Sequence, residues 1–415
     1  MSRGVTFLHL ADLHLGLRVT RFESDVVNRL REARFQSLEN ALQVAETRGV
    51  DFLLIAGDLF DDNAVSAVDA QRAFDMLKGR PTPVYVLPGN HDPYCSGSLW
   101  QRPPWSHAEG TALRVLTRAE PVEAGDGVVL LPCPVAAKRA TLDPTHWIEP
   151  GETTAIRLGL AHGSLMDRAF LPPDDHPIPL DAPARGGLDY LALGHWHDML
   201  LMESSRLAYP GAPEPTSFSE EHSGNVLLVE IAQAEMPPVI TPRHVGRLRW
   251  LARTETVTEP VAERLERLRA DLEALPGRAD TLLRLTLTGA VSAESFPQLA
   301  EFAAWLAAAG FLQQEVRNQV RCLEELHGAL QSLADRDEVI AGTAADLMRL
   351  ATLDAPGGGP PSTLEARPVD ELIRVWQSLE EGLRTWSAGT DVPARAEVAQ
   401  EGLKLLATLA KEVEQ

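Results

Sequence analysis

Phe52-Leu53-Leu54-Ile55-Ala56-Gly57-Asp58-Leu59-Phe60-Asp61 changes character at Gly57: five apolar residues give way to a glycine and then to carboxylates. A short apolar run of this kind is the pattern of a strand buried on both faces. Its abrupt polar end puts Asp58 just past the strand's carboxyl terminus. The theme recurs four times, with Thr6 to Leu10 running into Asp12, Val84 to Leu87 into Asn90, Ile156 to Leu160 into His162, and Tyr190 to Leu193 into His195. Between the first two runs, Val26, Val27, Leu30, Ala33, Leu38, Leu42 and Ala45 recur at helical spacing within Ser24 to Arg48, and Ala67 to Leu77 behaves likewise. Strand alternating with helix predicts an α/β sandwich. In such folds ligands gather beyond the carboxyl ends of strands, which is where these polar clusters fall.

Further strands at Asn225 to Ile231 and Val239 to Val245 complete a first domain, expected over residues 1–250. Pro260 to Leu275 then reads as a charged helix, Leu283, Leu285 and Leu287 alternate as a strand, and Ser295 to Ala309 is an Ala-rich helix stopped by Gly310. We expect a small α/β accessory domain over 251–340. Ala355 to Pro361 holds three glycines and three prolines, so 341–365 reads as a linker. Beyond it Val369, Leu372, Ile373, Trp376, Leu379, Leu383 and Trp386 recur at helical spacing and a last helix is expected from Arg395, giving a helical tail over 366–415.

The chain of 415 residues is 44% hydrophobic and 23% charged, a composition that can build more than one buried core and excludes disordered and fibrous classes. No apolar run approaches the ~20 residues that cross a bilayer, and Met1 to Leu10 lacks the pattern of a secretory leader, so a cytoplasmic protein without membrane contact is expected. Cys95, Cys133 and Cys322 are odd in number and widely spaced, which predicts reduced thiols rather than a disulfide framework. A net charge of −21 argues against whole-surface affinity for a polyanion; any nucleic acid has to be held locally.

The five strand ends carry Asp12 and His14 (Asp-Leu-His), Asp58 (Gly-Asp-Leu-Phe-Asp), Asn90, His91 and Asp92 (Gly-Asn-His-Asp), His162 (Ala-His-Gly), and His195 and His197 (Gly-His-Trp-His). One Asp-x-His means little; five such clusters in order mean a site. Alternate residues of an extended segment face the same way, so Asp12 with His14, and His195 with His197, can aim paired ligands at one point. Carboxylate, imidazole and amide oxygen together suit Mn²⁺, Fe²⁺, Zn²⁺ or Mg²⁺, and the lack of thiolate disfavours a structural zinc. Seven ligands are too many for one ion. Two ions sharing a carboxylate would use them all and clamp both oxygens of an in-line phosphoryl displacement. His9 is expected on the opposite sheet face as a structural residue, Trp100 and Trp105 as loop core rather than base-stacking platforms, and Asp61 and Asp62 read equally as partners of the ligands or as an exposed turn.

With these motifs the sequence resembles the calcineurin-like metallophosphoesterase superfamily. Asp-Leu-His-Leu-Gly at 12–16, Gly-Asp-Leu-Phe-Asp at 57–61 and Tyr-Pro-Gly at 209–211 are similar to the SbcD-type DNA repair exonuclease family. The resemblance implies a metallophosphoesterase β-sandwich flanked by helices, with a small α/β capping domain and a helical C-terminal tail. It implies two divalent ions, with Mn²⁺ the first choice. Asp12, His14 and His197 would hold one ion, Asn90, His162 and His195 the other, and Asp58 would bridge them, with an ion-bridging hydroxide as nucleophile. His91 would orient or protonate the leaving oxygen, and Asp92 would hold the His91 ring. The implied activity is a DNA phosphodiesterase, both exonuclease (3′ to 5′) and endonuclease. Its implied partners are DNA ends and an SbcC-like coiled-coil ATPase gripped by the tail, with a homodimer open. The alternatives are a phosphoesterase for nucleotides or cyclic nucleotides, and a regulatory scaffold of an ATPase complex. A small-substrate enzyme needs no cap or tail, and a scaffold has no use for His91.

Overall fold

A computed structural model of the chain describes residues 4–108, 112–151, 154–166, 175–202 and 206–323. The expected linker and tail lie outside the described residues, as does the end of the accessory domain. Two compact units are distinguished, Met1–Trp250 and Leu251–Gln415.

The first unit opens with β1 (Val5–Leu10), α1 (Ser24–Arg48), β2 (Phe52–Ala56), α2 (Ala67–Lys78), β3 (Val84–Leu87) and β4 (Leu113–Val115). Then come β5 (Val122–Glu123), β6 (Val128–Cys133), β7 (Ile156–His162), a short α3 (Ala182–Gly186), β8 (Tyr190–Gly194), β9 (Leu200–Met202), β10 (Leu207–Tyr209), β11 (Asn225–Ile231) and β12 (Val239–His244). They form two six-stranded sheets, ordered β12-β11-β1-β2-β3-β4 and β5-β6-β7-β8-β10-β9. In the first sheet β1 to β4 run parallel, Phe7 beside Phe52 and Leu53 beside Val84, and in the second β6, β7 and β8 do.

The strand residues are apolar in both alternations because both faces of the first sheet are covered. Leu8, Leu10, Leu53 and Ile55 pack with Phe35, Leu38 and Leu42 of α1, while Phe7, Phe52, Leu54 and Tyr85 meet Leu130, Leu158 and Tyr190 of the second sheet. Phe7 stacks on Phe52 at 5.4 Å and meets Tyr190 edge-on at 5.6 Å; burying such a side chain stabilises the fold by about 1.5–3 kcal/mol. α1 ends at Gly49, whose φ of +60° is the left-handed conformation a glycine stop supplies. Parallel strands bring the carboxyl ends of β1, β2, β3, β7 and β8 toward one edge of the sandwich.

The second unit has β13 (Arg249–Val257), α4 (Val261–Ala274), β14 (Thr281–Val291), α5 (Phe296–Ala307), β15 (Gln313–Asn318) and β16 (Arg321–Cys322). Leu265, Leu268 and Leu272 of α4 and Phe302 and Leu306 of α5 close over Leu283, Leu285 and Leu287 of β14. The expected helices and strand are all present here. The sequence expectations do not include β6 and β13: Val128–Cys133 ends in Pro-Cys rather than a polar cluster, and Arg249–Val257 keeps no period-2 alternation, its apolar residues being bunched at Trp250 to Ala252.

Candidate metal centre

The two loops that leave β1 and β2 are zipped together past the ends of their strands. Asp12 N donates to Gly57 O (3.1 Å), His14 N to Asp58 O (3.0 Å) and Leu15 N to Leu59 O (2.9 Å). Asp12, His14, Asp58 and His195 all hold positive φ, at 56°, 46°, 50° and 101°. Residues with a Cβ hold such conformations at a cost of about 1–3 kcal/mol each, and they collect at functional sites. Two glycines let the loops close. A Cβ on Gly57 would fall 2.0 Å from His162 Nδ1, and one on Gly89 2.1 Å from Asp58 Oδ1.

The candidate ligand atoms converge in this space. Asp12, His14 and His197 form one group, Asp12, Asp58 and His162 another, and His14, Asp58 and His91 a third, each with ligand atoms within 4.8 Å of one another. Asp58 Oδ2 lies 3.3 Å from His162 Nε2 and 3.6 Å from His14 Nε2, while Asp58 Oδ1 accepts from His91 N at 2.8 Å. One carboxylate oxygen therefore faces both histidines. Asn90 Oδ1 is 2.7 Å from His162 Nε2 and 3.0 Å from His195 Nδ1, and Asp12 accepts from His195 N through both oxygens.

Partners behind the rings fix which nitrogen looks inward. His14 Nδ1 donates to Asp61 Oδ1 (3.1 Å), His162 Nδ1 to Ala56 O (2.9 Å) and His195 Nε2 to Asp175 Oδ2 (2.9 Å), while His197 Nδ1 meets Thr216 Oγ1 (3.0 Å) and Glu220 Oε1 (3.2 Å). The inward atoms are thereby left as lone pairs. His162 Nε2, His195 Nδ1 and Asn90 Oδ1 are three acceptors pointed at one another, and donors of this kind fit a divalent cation. Burial opposes charge on His162, yet Asp58 and Asp12 beside it push its pKa up to about 9. Burial likewise opposes ionisation of Asp58, but His162, His14 and His91 hold its pKa well below the ordinary carboxylate range. The His195 partner keeps Asp175 down at about 2; burial disfavours the charge of Glu220, but its bond to His197 holds it at about 2.

His91 stands at the mouth of the site, a third exposed, with Nδ1 on Asp61 O at 2.9 Å and its ring edge-on to His14 at 4.7 Å. Asp92 does not hold that ring. Its carboxylate turns inward, Oδ1 accepting from Gly89 N (2.7 Å) and Oδ2 from Phe60 N (2.9 Å), and burial together with the charge of Asp58 pushes its pKa up to about 8. Neighbours in a tight turn project to opposite sides, so Asp92 staples the Gly-Asn-His-Asp loop to β2's loop while Asp61 takes the role expected of it. Asp61 is thus a partner of the ligands, and Asp62 caps the turn at Ala64 N (2.6 Å).

Asp175, Thr216 and Glu220 had no signal in the sequence: they lie 19 to 23 residues from the histidines they orient, in irregular loops. His9 is buried between the sheets, bonded to Tyr190 Oη (2.9 Å) and Leu193 O (3.1 Å). Trp100 and Trp105 are loop core, packed edge to face at 5.1 Å beside Phe60.

Residues 5–199, which contain all seven expected ligands, match the family model described as calcineurin-like phosphoesterase. Residues 5–199 are a calcineurin-like phosphoesterase domain. The chain is similar to an uncharacterized metallophosphoesterase, YhaO, of Bacillus subtilis, 28% identical over 251 residues, 57% of this chain and 60% of that protein. It is also similar to the D subunit of the SbcCD nuclease of Rhodobacter capsulatus, 27% identical over 326 residues, 65% of this chain and 76% of that protein. A 95-residue stretch is 34% identical to the DNA double-strand break repair protein Mre11 of Methanosarcina acetivorans, 22% of this chain and 15% of that one. No helix among the described residues is long and apolar enough to cross a membrane.

Proposed function

We propose that the chain is a two-metal phosphodiesterase that cleaves DNA, with exonuclease and endonuclease activity. The observation that carries the reading is the placement of Asp58 Oδ2 between His14 and His162, one in each expected ligand set. Asp12, His14 and His197 then hold one ion, Asn90, His162 and His195 the other, and Asp58 both, Mn²⁺ being the first choice. Bound divalent ions would acidify water and offset charge on phosphoryl oxygens.

The chain's own residues supply the rest. Asp61 O fixes His91 through Nδ1, which leaves Nε2 as the nitrogen that hands a proton to the departing oxygen. Although His91 lies near enough to His14 and Asp58 to join a ligand group, its exposure suits a substrate-facing role. The similarity to nuclease subunits supports DNA over a nucleotide substrate, and it supports an SbcC-like ATPase as partner of the tail. The test is hydrolysis of hairpin DNA, of a chromogenic phosphodiester and of cyclic nucleotides, each with Mn²⁺ and with chelator. Metal-dependent cleavage of DNA and of the chromogenic diester is expected. Turnover of nucleotides without DNA cleavage would favour the small-substrate enzyme.

A further inference from the structure

Arg34 lies in the middle of α1, where a charged residue would ordinarily face solvent, yet it is 2% exposed. Its guanidinium spends its donors on backbone carbonyls: Nη1 on Leu13 O (3.1 Å) and Glu214 O (3.3 Å), Nη2 on Pro215 O (2.9 Å). A buried cation of this kind is costly unless its donors are satisfied. Here they are satisfied by two loops, one carrying Asp12 and His14 and the other helping to orient His197. Leu13 sits between Asp12 and His14, and Pro215 precedes Thr216, whose hydroxyl and the Glu220 carboxylate aim the His197 ring. On its far side the second loop is anchored separately, since the Glu214 carboxylate accepts from the backbone N–H groups of Arg247 and Leu248. Asn90, His162 and His195 are oriented by other groups, Ala56 O and Asp175 among them.

We propose that Arg34 is a positioning residue that holds the Asp12–His14 loop and the Glu214–Thr216 loop in register, and so sets the affinity of one of the two ions without touching it. The inference rests on the two-metal reading above. Only a planar fork with donors on two nitrogens spans these three carbonyls; a lysine brings one nitrogen to the same space. Removing groups that orient ligands weakens metal binding by roughly 10–100-fold, and Arg34 acts one step further out, so about tenfold is expected.

The experiment is Mn²⁺ titration of the full chain by calorimetry and electron paramagnetic resonance, for wild type, Arg34→Met and Arg34→Lys. Wild type should bind two ions with a spin-coupled spectrum. Arg34→Met should keep one affinity unchanged, lose about tenfold in the other and show the uncoupled spectrum of a lone Mn²⁺ at one equivalent, with Arg34→Lys between the two. In an Asn90→Ala background the Arg34 substitution should still weaken the remaining ion, and in a His197→Ala background it should not. Equal weakening of both ions in a folded variant, or no weakening, overturns the proposal; should Arg34→Met not fold, Arg34→Lys decides by the same criterion. A wild type that binds no second ion overturns the two-metal reading instead.

Discussion

His14 and His197 face each other through their Nε2 atoms at 3.0 Å, and the other nitrogen of each ring is committed to a carboxylate, Asp61 for His14 and Glu220 for His197. Two lone pairs at that separation repel unless a cation or a proton lies between them. Burial keeps His14 below its ordinary pKa, whereas Glu220 and Asp12 raise that of His197 against the effect of its burial. The pair is therefore arranged around a positive charge, a place that a divalent cation can fill.

Asp58 and His91 separate metal binding from proton handling. Asp58→Ala removes the oxygen shared by both ligand sets and should cost both ions; His91→Ala should keep both while turnover falls by about 10²–10⁴. Metal content by mass spectrometry beside phosphodiester turnover checks this. Equal metal loss in both variants would place His91 among the ligands.

Two neighbouring carboxylates should fail in opposite ways. Asp92→Ala strands the buried N–H groups of Gly89 and Phe60, at about 2–4 kcal/mol, and the loss should appear in denaturant melts of the chelated protein. Asp61→Ala should leave that melt nearly unchanged and weaken Mn²⁺ roughly 10–100-fold through His14. Matching profiles for the two variants would contradict their assigned contacts.

His9 gives the first unit an acid sensitivity unrelated to the metals. Burial drives its pKa down to about 3, the bond to Leu193 O only partly opposing it. The fold thus prefers the neutral ring, and the unfolded chain takes up the proton first, near 6.5. Stability contributed by the neutral ring is complete above that value and lost as pH falls from 6.5 toward 3, by up to about 1.4 kcal/mol per pH unit. His9→Gln, compared with wild type in a denaturant series over this range, should flatten the slope. Parallel slopes would mean the ring protonates without cost.

The tail carries Ile373, Trp376, Leu379, Leu383 and Trp386 at helical spacing, an apolar stripe suited to helix-in-groove docking. A chain ending at residue 362 should keep Mn²⁺-dependent turnover of a small phosphodiester and lose co-purification with a coiled-coil ATPase of the SbcC type. Unfolding of the shortened chain would assign the stripe to this protein's own core.

Much of the sandwich was legible in the sequence, and the seven residues expected as ligands lie close together past its strand ends, because a parallel strand buried on both faces writes an uninterrupted apolar run with a polar end. The illegible parts have physical causes. Asp92 shares a motif with His91, but the turn sends its carboxylate to Gly89 and Phe60. Asp175, Thr216 and Glu220 reach their histidines through irregular loops that carry no periodicity. Arg34 carries no signal in the sequence because nothing local reveals that Leu13, Glu214 and Pro215 offer it their carbonyls.

Turnover of a chromogenic phosphodiester measured while Mn²⁺ is titrated into the chelated full chain tests the two-metal account most directly. Two ions should bind per chain, with turnover rising as the second equivalent fills and vanishing on chelation. Saturation of turnover by a single ion, or hydrolysis that persists in excess chelator, would contradict it.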